Sequence, residues 1–497
     1  MSYINNRTVH DLKKAGTRLS AAALMEAPMM HIGAAQAESS TGGILVRGPR
    51  NAVALGVSID TRTLRAGDLF FAIRGPKNDG HQYVGAALEK GAAGVVVDHH
   101  YSLPEAFPQD RILLMVGDTH QALKDLAADA RRQWRGSLIG ITGSMGKTTA
   151  KDFAAQVLQT EFSVYRSPGN YNNLFGLPLA VFGLSDTDHI GIFEMGMSVP
   201  GEIAEMCRIA KPALGVITNV APVHLEFFKS LEDIARAKGE LAESLPADGT
   251  LIYNADDLLV QGIAARFPGH KISFGRTSDA QVFADQIETV GLQETRFRLH
   301  CAGLSLRALI PLAGTHFVMN ALPAVALGLH YRINLEQIVE SLRHLEQALM
   351  RGQIIRLGQG IVLVDDSYNS NPRALAQMTE TISRLPCENR RILVAGEMLE
   401  LGEAAPALHY ECGSLAARSG VDVVVAIQGA AREIARGAAA AGLPQAQAHF
   451  FPDVETAIEF IAKLVQPGDL LLVKGSRGVR LERVVLALKS RCEEPAP

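Results

Sequence analysis

The chain has 497 residues and a formal net charge of −4, from 48 Lys and Arg against 52 Asp and Glu. Hydrophobic residues make up 47% and charged residues 20%, enough to build several buried cores and incompatible with a mostly disordered chain. The balanced charge and an aromatic content of 6% exclude a general nucleic-acid binder, which needs a basic excess and stacking surfaces.

At about 150 residues per domain the length implies about three domains. The segment Leu19 to Ala37 follows Lys13, Lys14 and Arg18 and has the faint outline of a signal peptide. Glu26, Pro28 and His31 interrupt its apolar region, so it reads as a helical N-terminal extension. No stretch approaches the ~18 uncharged apolar residues of a membrane helix, so no membrane insertion is expected. The five cysteines are far apart and form no CxxC pair, which fits a reducing compartment and gives no zinc or disulfide framework. The expected location is the cytoplasm.

Short apolar runs then alternate with helical patterns. Gly94 to Val97 is the first, and Ala130 to Gly136 closes a helix at a candidate domain boundary. Ser137 to Thr142, His189 to Glu194 and Leu214 to Thr218 follow. Gln281 to Ile310 differs: its alternation in Thr295 to Leu299 and Leu304 to Leu306 suits antiparallel strands. A second boundary falls near Gln347 to Gly352, after a helix starting at Leu335. Ile361 to Asp365, Arg391 to Gly396, Val421 to Ile427 and Asp469 to Lys474 complete the series. Continuous apolar strands of this kind suit parallel sheets covered by helices on both faces. The fold class is therefore α/β, divided as 1–135, 136–348 and 349–497.

The strongest local signal is Gly140-Ile141-Thr142-Gly143-Ser144-Met145-Gly146-Lys147-Thr148-Thr149. An apolar strand enters a Gly-rich turn and a helix follows. Gly143 and Gly146 let backbone N–H groups, including that of Ser144, approach phosphate oxygens, and the helix N-terminus adds positive potential. Lys147 supplies a cation to the β- and γ-phosphates, and the hydroxyl of Thr148 or Thr149 can ligate Mg²⁺. The general GxxxxGK[ST] pattern fails, because Ile141 stands where its first glycine belongs.

Glu194 ends an apolar strand, where open α/β sheets bind ligands, and is placed to reach a Mg²⁺ at the loop. The next strand leads to Asn219 and then His224, for which spacing leaves a structural and a ligand role open. Lys238 sits on an expected helix, and spacing alone does not separate it from a solvated surface lysine.

At this point the chain resembles the Mur ligase family, ATP-dependent amide-forming enzymes of peptidoglycan precursor synthesis, from about Val57 to Glu482. The loop Thr142 to Thr149 has that family's form. Pro168 to Pro178 resembles its GNxNNxxGxP segment, and Glu194-Met195-Gly196-Met197 its metal-carboxylate strand end. Asn254 to Asp257 and Gly314-Thr315-His316 with Asn320 resemble its nucleotide-side segments. The resemblance implies that His224 binds a metal and that Lys238 is carbamylated by CO₂ to help hold a second Mg²⁺. It also implies ATP contacts from Asn254, His316, Asn320, Arg351 and Asp366.

The first part narrows the branch. Ser58-Ile59-Asp60-Thr61-Arg62, Gly67 to Ile73, Gly75 and Asp79-Gly80-His81 resemble the uridine-nucleotide domain of the later enzymes of that pathway. By that likeness Ser58, Asp60, Thr61, Arg62, Gly75, Asp79 and His81 bind substrate; taken alone they are equally turn and cap residues. Val364 to Pro372, reading VDDSYNSNP, and Gly396 to Glu403, reading GEMLELGE, with His409 and Lys474-Gly475-Ser476-Arg477, resemble the branch that adds D-alanyl-D-alanine. Asn172, Asn173, Tyr368, Asn369 and Asn371 are its implied substrate contacts. Ser370, Glu397, Phe317 and Met350 depart from the usual Ala, Asp, Asn and Gly.

The resemblance implies a small α/β uridine-nucleotide domain, a central P-loop parallel sheet with helices on both faces, and a C-terminal Rossmann-like domain. It implies use of ATP and Mg²⁺ to join a UDP-N-acetylmuramoyl-tripeptide to D-alanyl-D-alanine; a monomer is expected. His409 or an acidic residue near it is a candidate acceptor for the amine's proton, and the sequence does not establish a base. Two rivals are weighed. Folylpolyglutamate-type ligation shares the central domain but is opposed by the uridine-type first part and by DDSYNSNP. A non-catalytic nucleotide-binding scaffold is opposed by the intact Lys147, Thr148, Glu194, His224 and Lys238.

Overall fold

The computed structural model describes residues 30–75, 78–102, 104, 107–223 and 225–492. The expected extension helix before residue 30, and His224, lie outside them. The described end of that extension is not detached. A short strand β1 (Ile32–Gly33) pairs antiparallel with Val53–Ala54, and α1 (Ala34–Thr41) follows. Ile32, Ala34 and Ala37 are buried in the core, and Gln36 donates to Asp129 at 2.9 Å.

The first sheet has five strands in the order Ile44–Arg47, Ile112–Val116, Gly94–Asp98, Asp68–Phe71, Gly56–Ser58. The last four run parallel and the first is antiparallel. Their inner strands are buried along their length, which is why they read as unbroken apolar runs. The helix Thr119–Gln133 is capped by Asp118, whose carboxylate accepts from Gln121 N–H at 2.8 Å. It leads into Trp134, buried with its indole N–H on Ser185 O at 3.0 Å. That indole joins the first sheet's covering helix to the central core.

The central sheet has nine strands. Leu214–Ile217, Ser137–Thr142, Ile190–Glu194 and Val164–Arg166 lie adjacent and parallel, and Thr250–Asn254 and His270–Gly275 extend the parallel run. Val282–Val290, Glu294–Cys301 and Leu304–Ile310 then pair antiparallel, where the sequence alternates. Helices Lys147–Leu158 and Thr315–His330 cover one face. Glu202–Ala210 and Leu231–Glu243 cover the other. Ser137–Thr142 lies between Leu214–Ile217 and Ile190–Glu194, so the carboxyl ends of three strands meet at one edge. Ligands of open α/β sheets bind at such an edge.

The third sheet has six strands, parallel except for the edge strand Gln353–Arg356. Its strand Val423–Ile427 starts two residues later than the apolar run suggests. Val421 N–H is spent on Ala416 O, closing the preceding helix after Gly420 at φ +81°. The helix Pro372–Arg384 begins with Asn371 as cap and proline in its first position, a strong start signal. The cysteines at 207, 301, 387 and 412 are free. Among the described residues no helix is long and apolar enough to cross a membrane.

Candidate active site

The loop Gly143 to Gly146 joins the strand Ser137–Thr142 to the helix Lys147–Leu158. Two of its positions require glycine. Gly143 has φ +148° and a Cβ there would lie 1.9 Å from Thr218 Oγ1; Gly146 has φ +79° and a Cβ would lie 2.2 Å from Asn320 Oδ1. The loop is pinned from the neighbouring strand end. Ser144 N–H donates to Asn219 O at 2.9 Å, Met145 N–H to Asn219 Oδ1 at 3.0 Å, and Thr218 Oγ1 to Met145 O at 2.6 Å. Ser144 Oγ donates to Ala221 O at 3.1 Å and accepts from Ala221 N–H at 2.8 Å. Lys147 Nζ reaches back to Gly143 O at 2.8 Å, and burial pulls its pKa below the usual lysine range against the pull of Glu194. The first-turn N–H groups of residues 147 to 149 have no intrahelical acceptor, so loop, helix end and ammonium together form an anion cradle.

Glu194 is buried beside that cradle. Its Oε2 accepts from Thr148 Oγ1 at 2.7 Å and its Oε1 from Asn172 Nδ2 at 2.8 Å. Burial alone would push this carboxyl up; Lys147, Lys151 and the two hydrogen bonds overcome it and hold the group below the usual range. An ionised carboxylate next to a threonine hydroxyl is a hard-oxygen pair that suits Mg²⁺. Among the described residues no cluster of three or more His, Cys, Asp or Glu could hold a metal, and Glu194 with Thr148 supplies the oxygens that are there. Lys238 is not a solvated surface lysine. It is 2% exposed, and burial, helped by the nearby Lys147 charge, lowers its pKa well below the lysine range.

The opposite wall comes from the C-terminal part. One cavity of about 1060 Å³ runs between them. Arg351 Nη2 crosses it to donate to Thr148 Oγ1 at 3.0 Å, and its guanidinium lies 4.0 Å over the Tyr368 ring. Met350, in place of glycine, takes φ +60° just before it. Asp366 pairs with buried Lys474 at 2.6 Å, and Lys474 also donates to Asn369 O at 2.9 Å. Asn320 and His316 face the same space. His316 Nδ1 is buried without a partner among the described residues, and burial with the Lys474 charge lowers the ring's pKa to about 4. Asn254 lines the cavity too, but its amide is used within the protein, donating to Thr218 O at 2.8 Å and accepting from Asp256 N–H at 2.9 Å.

Several expected contacts do structural work. Asn173 Oδ1 accepts from Phe175 and Gly176 N–H, and Asn371 Oδ1 from Ala374 N–H, although both residues line the cavity. Asn369 Oδ1 accepts from Ser370 N–H at 2.9 Å. Phe317 is 3% exposed and packs against Phe153 and His316, so it belongs to the core. His409 is corrected. It is fully buried, its Nε2 accepts from Met398 N–H at 2.9 Å and its Nδ1–H donates to Ala405 O at 2.6 Å. Both ring nitrogens are occupied, and the ring braces the Gly396 to Glu403 turn instead of taking a substrate proton.

Ser58, Asp60, Thr61, Arg62, Gly75, Asp79 and His81 do not line the large cavity. Asp60 holds exposed Arg62 at 2.6 Å, Thr61 O accepts from Lys90, and Gly75 N–H donates to Asn78 O. Ser58 Oγ donates to Asp60 O, and Asp79 bonds His81, whose Nε2 accepts from Asp98 N–H. Sequence reasoning gave no role to Lys474, Lys151 or His120. Lys151 is 2% exposed and donates to Ser167 O at 2.8 Å. His120 stacks on Phe175 at 4.1 Å on the cavity wall. The motif spelling pointed to Lys474; nothing in the spacing marks His120.

Residues 141–328 match the Mur ligase middle domain, residues 350–477 the Mur ligase glutamate ligase domain, and residues 55–131 the Mur ligase family catalytic domain. A UDP-N-acetylmuramoyl-tripeptide–D-alanyl-D-alanine ligase of Bacillus subtilis is 34% identical over 430 residues, covering 86% of this chain and 92% of the relative. The chain belongs to the Mur ligase family. The Escherichia coli protein of the same name is 32% identical over 87% of this chain and 93% of its own length. Among solved structures, MurF from Acinetobacter baumannii superposes with a TM-score of 0.83 at 28% identity, covering 93% of this chain and all of that one. MurF from Thermotoga maritima, in complex with ADP, gives 0.77 at 26% over 89% and 98%. The Mur ligase fold here therefore has three large sheets among the described residues, with its nucleotide loop on the middle one.

Proposed function

We propose that this protein joins the terminal carboxylate of a UDP-N-acetylmuramoyl-tripeptide to the amine of D-alanyl-D-alanine, cleaving ATP to ADP and phosphate. The observation that carries the reading is the single cavity with the phosphate loop on one wall and the Asp366 to Asn371 segment on the other. Arg351 already spans the two walls. The curated relatives named for this reaction supply the substrate identities. The division 1–135, 136–348 and 349–497, a cytoplasmic location and a monomeric state belong to the same proposal.

A free carboxylate is a poor electrophile because its leaving group would be oxide. Transfer of the γ-phosphoryl group to it gives an acyl phosphate with a good leaving group, and the dipeptide amine attacks through a tetrahedral intermediate. The protein's share is positioning and electrostatics. Gly143, Ser144 and Gly146 shape the cradle; Lys147 and the N–H groups of Thr148 and Thr149 bind phosphate oxygens. Arg351 brings a second cation from the other wall. His316, Asn320, Asn254 and Asp366 form the nucleotide side, and the Arg351 guanidinium lies 4.0 Å over the Tyr368 ring. Ser58, Asp60, Thr61, Arg62, Gly75, Asp79 and His81 carry the uridine end of the substrate; Asn172, Asn173, Asn369 and Asn371 shape the walls around its peptide end.

Mg²⁺ supplies charge neutralisation at the phosphates when bound. Thr148 and Glu194 would hold one ion, and His224 with a carbamate on Lys238 another. Lys238 suits that modification: burial disfavours its ammonium form, the neutral amine attacks CO₂ with loss of a proton, and the product offers oxygens where an ammonium would repel a cation. ATP turnover tests the reading. Hydrolysis or ligation that depends on a UDP-linked muramoyl peptide supports it, and turnover indifferent to that peptide removes it.

A further inference from the structure

We propose that the Ser370 hydroxyl binds the terminal carboxylate of the D-alanyl-D-alanine acceptor and helps select it. The inference rests on the ligation reading above and names the subsite of its second substrate. Along the Asp366 to Asn371 segment the side-chain polar groups are nearly all engaged within the protein. Asp366 pairs with Lys474, Ser367 Oγ donates to Asp365 at 2.6 Å, Asn369 accepts from Ser370 N–H, and Asn371 caps the helix Pro372–Arg384. Of the buried side-chain polar atoms in this segment, Ser370 Oγ is the one without a partner among the described residues. The residue is 6% exposed and lines the cavity, yet its hydroxyl has no hydrogen-bond partner among the described residues.

A buried hydroxyl left unpaired costs about 1–3 kcal/mol, so a native one without a partner points to something that binds there. Its surroundings favour an anion. Three residues on, Arg373 lines the same cavity, is exposed, and among the described residues makes only a long 3.4 Å contact with Val220 O. The N-terminal end of a thirteen-residue helix adds positive potential at the same place. The ATP phosphates have their own cradle on the opposite wall, at Gly143 to Thr149. Of the substrate anions outside that cradle, the carboxylate of the dipeptide is the one we assign to the C-terminal wall, with the hydroxyl donating and Arg373 supplying charge. Relatives with alanine at this position lack that donor.

Ser370→Ala removes one oxygen and introduces the residue usual in the family, so the fold is retained. Steady-state kinetics are measured with D-alanyl-D-alanine and with its C-terminal amide, D-alanyl-D-alaninamide, for wild type and variant. The proposal predicts that KM for the dipeptide rises about tenfold, the scale of a hydrogen bond to a charged group. KM for ATP and for the UDP-tripeptide stays within twofold, and the preference for acid over amide shrinks by about the same factor as the dipeptide KM rises. An unchanged dipeptide KM, an unchanged acid-to-amide ratio, or a KM shift confined to ATP or the UDP-tripeptide overturns it. Wild type that forms no pentapeptide under these conditions refutes the ligation reading instead, and the wild-type arm separates the two failures.

Discussion

Lys147→Ala removes the one side-chain cation of the phosphate loop. Its Nζ sits 2.8 Å from Gly143 O, and burial lowers its pKa, so the ammonium is held in place at a desolvation cost. A charge-assisted hydrogen bond contributes about 1.5–3 kcal/mol, and the desolvation it opposes is of similar size, so stability should change by no more than about 1 kcal/mol. The catalytic effect is different in kind. In a water-excluded site a preorganised donor aimed at developing phosphoryl charge is worth about 2.7–4 kcal/mol, or roughly 10²–10³ in rate. The assay is pentapeptide formation and ADP release at saturating substrates, with a thermal melt of the same sample. Activity within a few-fold of wild type would refute the loop assignment. A collapse of the melt together with the activity would show that the lysine serves the fold.

Lys238→Ala should abolish ligation without lowering the melting temperature, since it removes a buried amine, and short carboxylic acids should restore part of the activity; full activity in the variant would remove the carbamate reading. Gly143→Ala should lose nucleotide binding by titration calorimetry, because its Cβ would sit 1.9 Å from Thr218 Oγ1 at a left-handed φ; wild-type affinity would contradict the tight approach. His316 is held neutral with a pKa of about 4 against 6.5 unfolded, so the unfolded state binds the extra proton as pH falls. Its contribution is fully present above pH 6.5 and is lost as pH falls from 6.5 towards 4, roughly 2 kcal/mol by pH 5. Urea unfolding of wild type and His316→Gln at pH 7 and 5 reads that difference, and equal pH dependence in both would contradict the buried neutral imidazole. Asn371→Ala should cost about 1 kcal/mol of local stability through the lost cap, read as faster hydrogen exchange in the helix Pro372–Arg384; unchanged exchange there would refute the capping role.

The layers of the fold were legible because buried parallel strands leave a plain mark. Ser137 to Thr142 and Arg391 to Gly396 are apolar runs with clear ends, and the structure places the strands on those residues. The phosphate loop was legible for the same reason, as a strand, two constrained glycines and a helix in order. What was missed depends on partners distant in sequence. Spacing alone left a surface role open for Lys238 beside the metal-holding role the family resemblance implied; it lies four residues after Ile234 and three before Leu241, both buried, so it falls on the inward face of its helix. His409 looked chemical until Met398 and Ala405 were seen to take both its nitrogens. Asn371 before Pro372 already spelled a helix start. The free Ser370 hydroxyl could not be read from sequence, because being unpartnered is a property of the packed loop.

Incubating the purified protein with ATP, Mg²⁺, D-alanyl-D-alanine and a UDP-N-acetylmuramoyl-tripeptide, omitting one component at a time and weighing the products, tests the central claim most directly. A UDP-N-acetylmuramoyl-pentapeptide mass that appears only when every component is present is the predicted result. Nucleotide binding without any pentapeptide, with either a diaminopimelate or a lysine tripeptide, would contradict it.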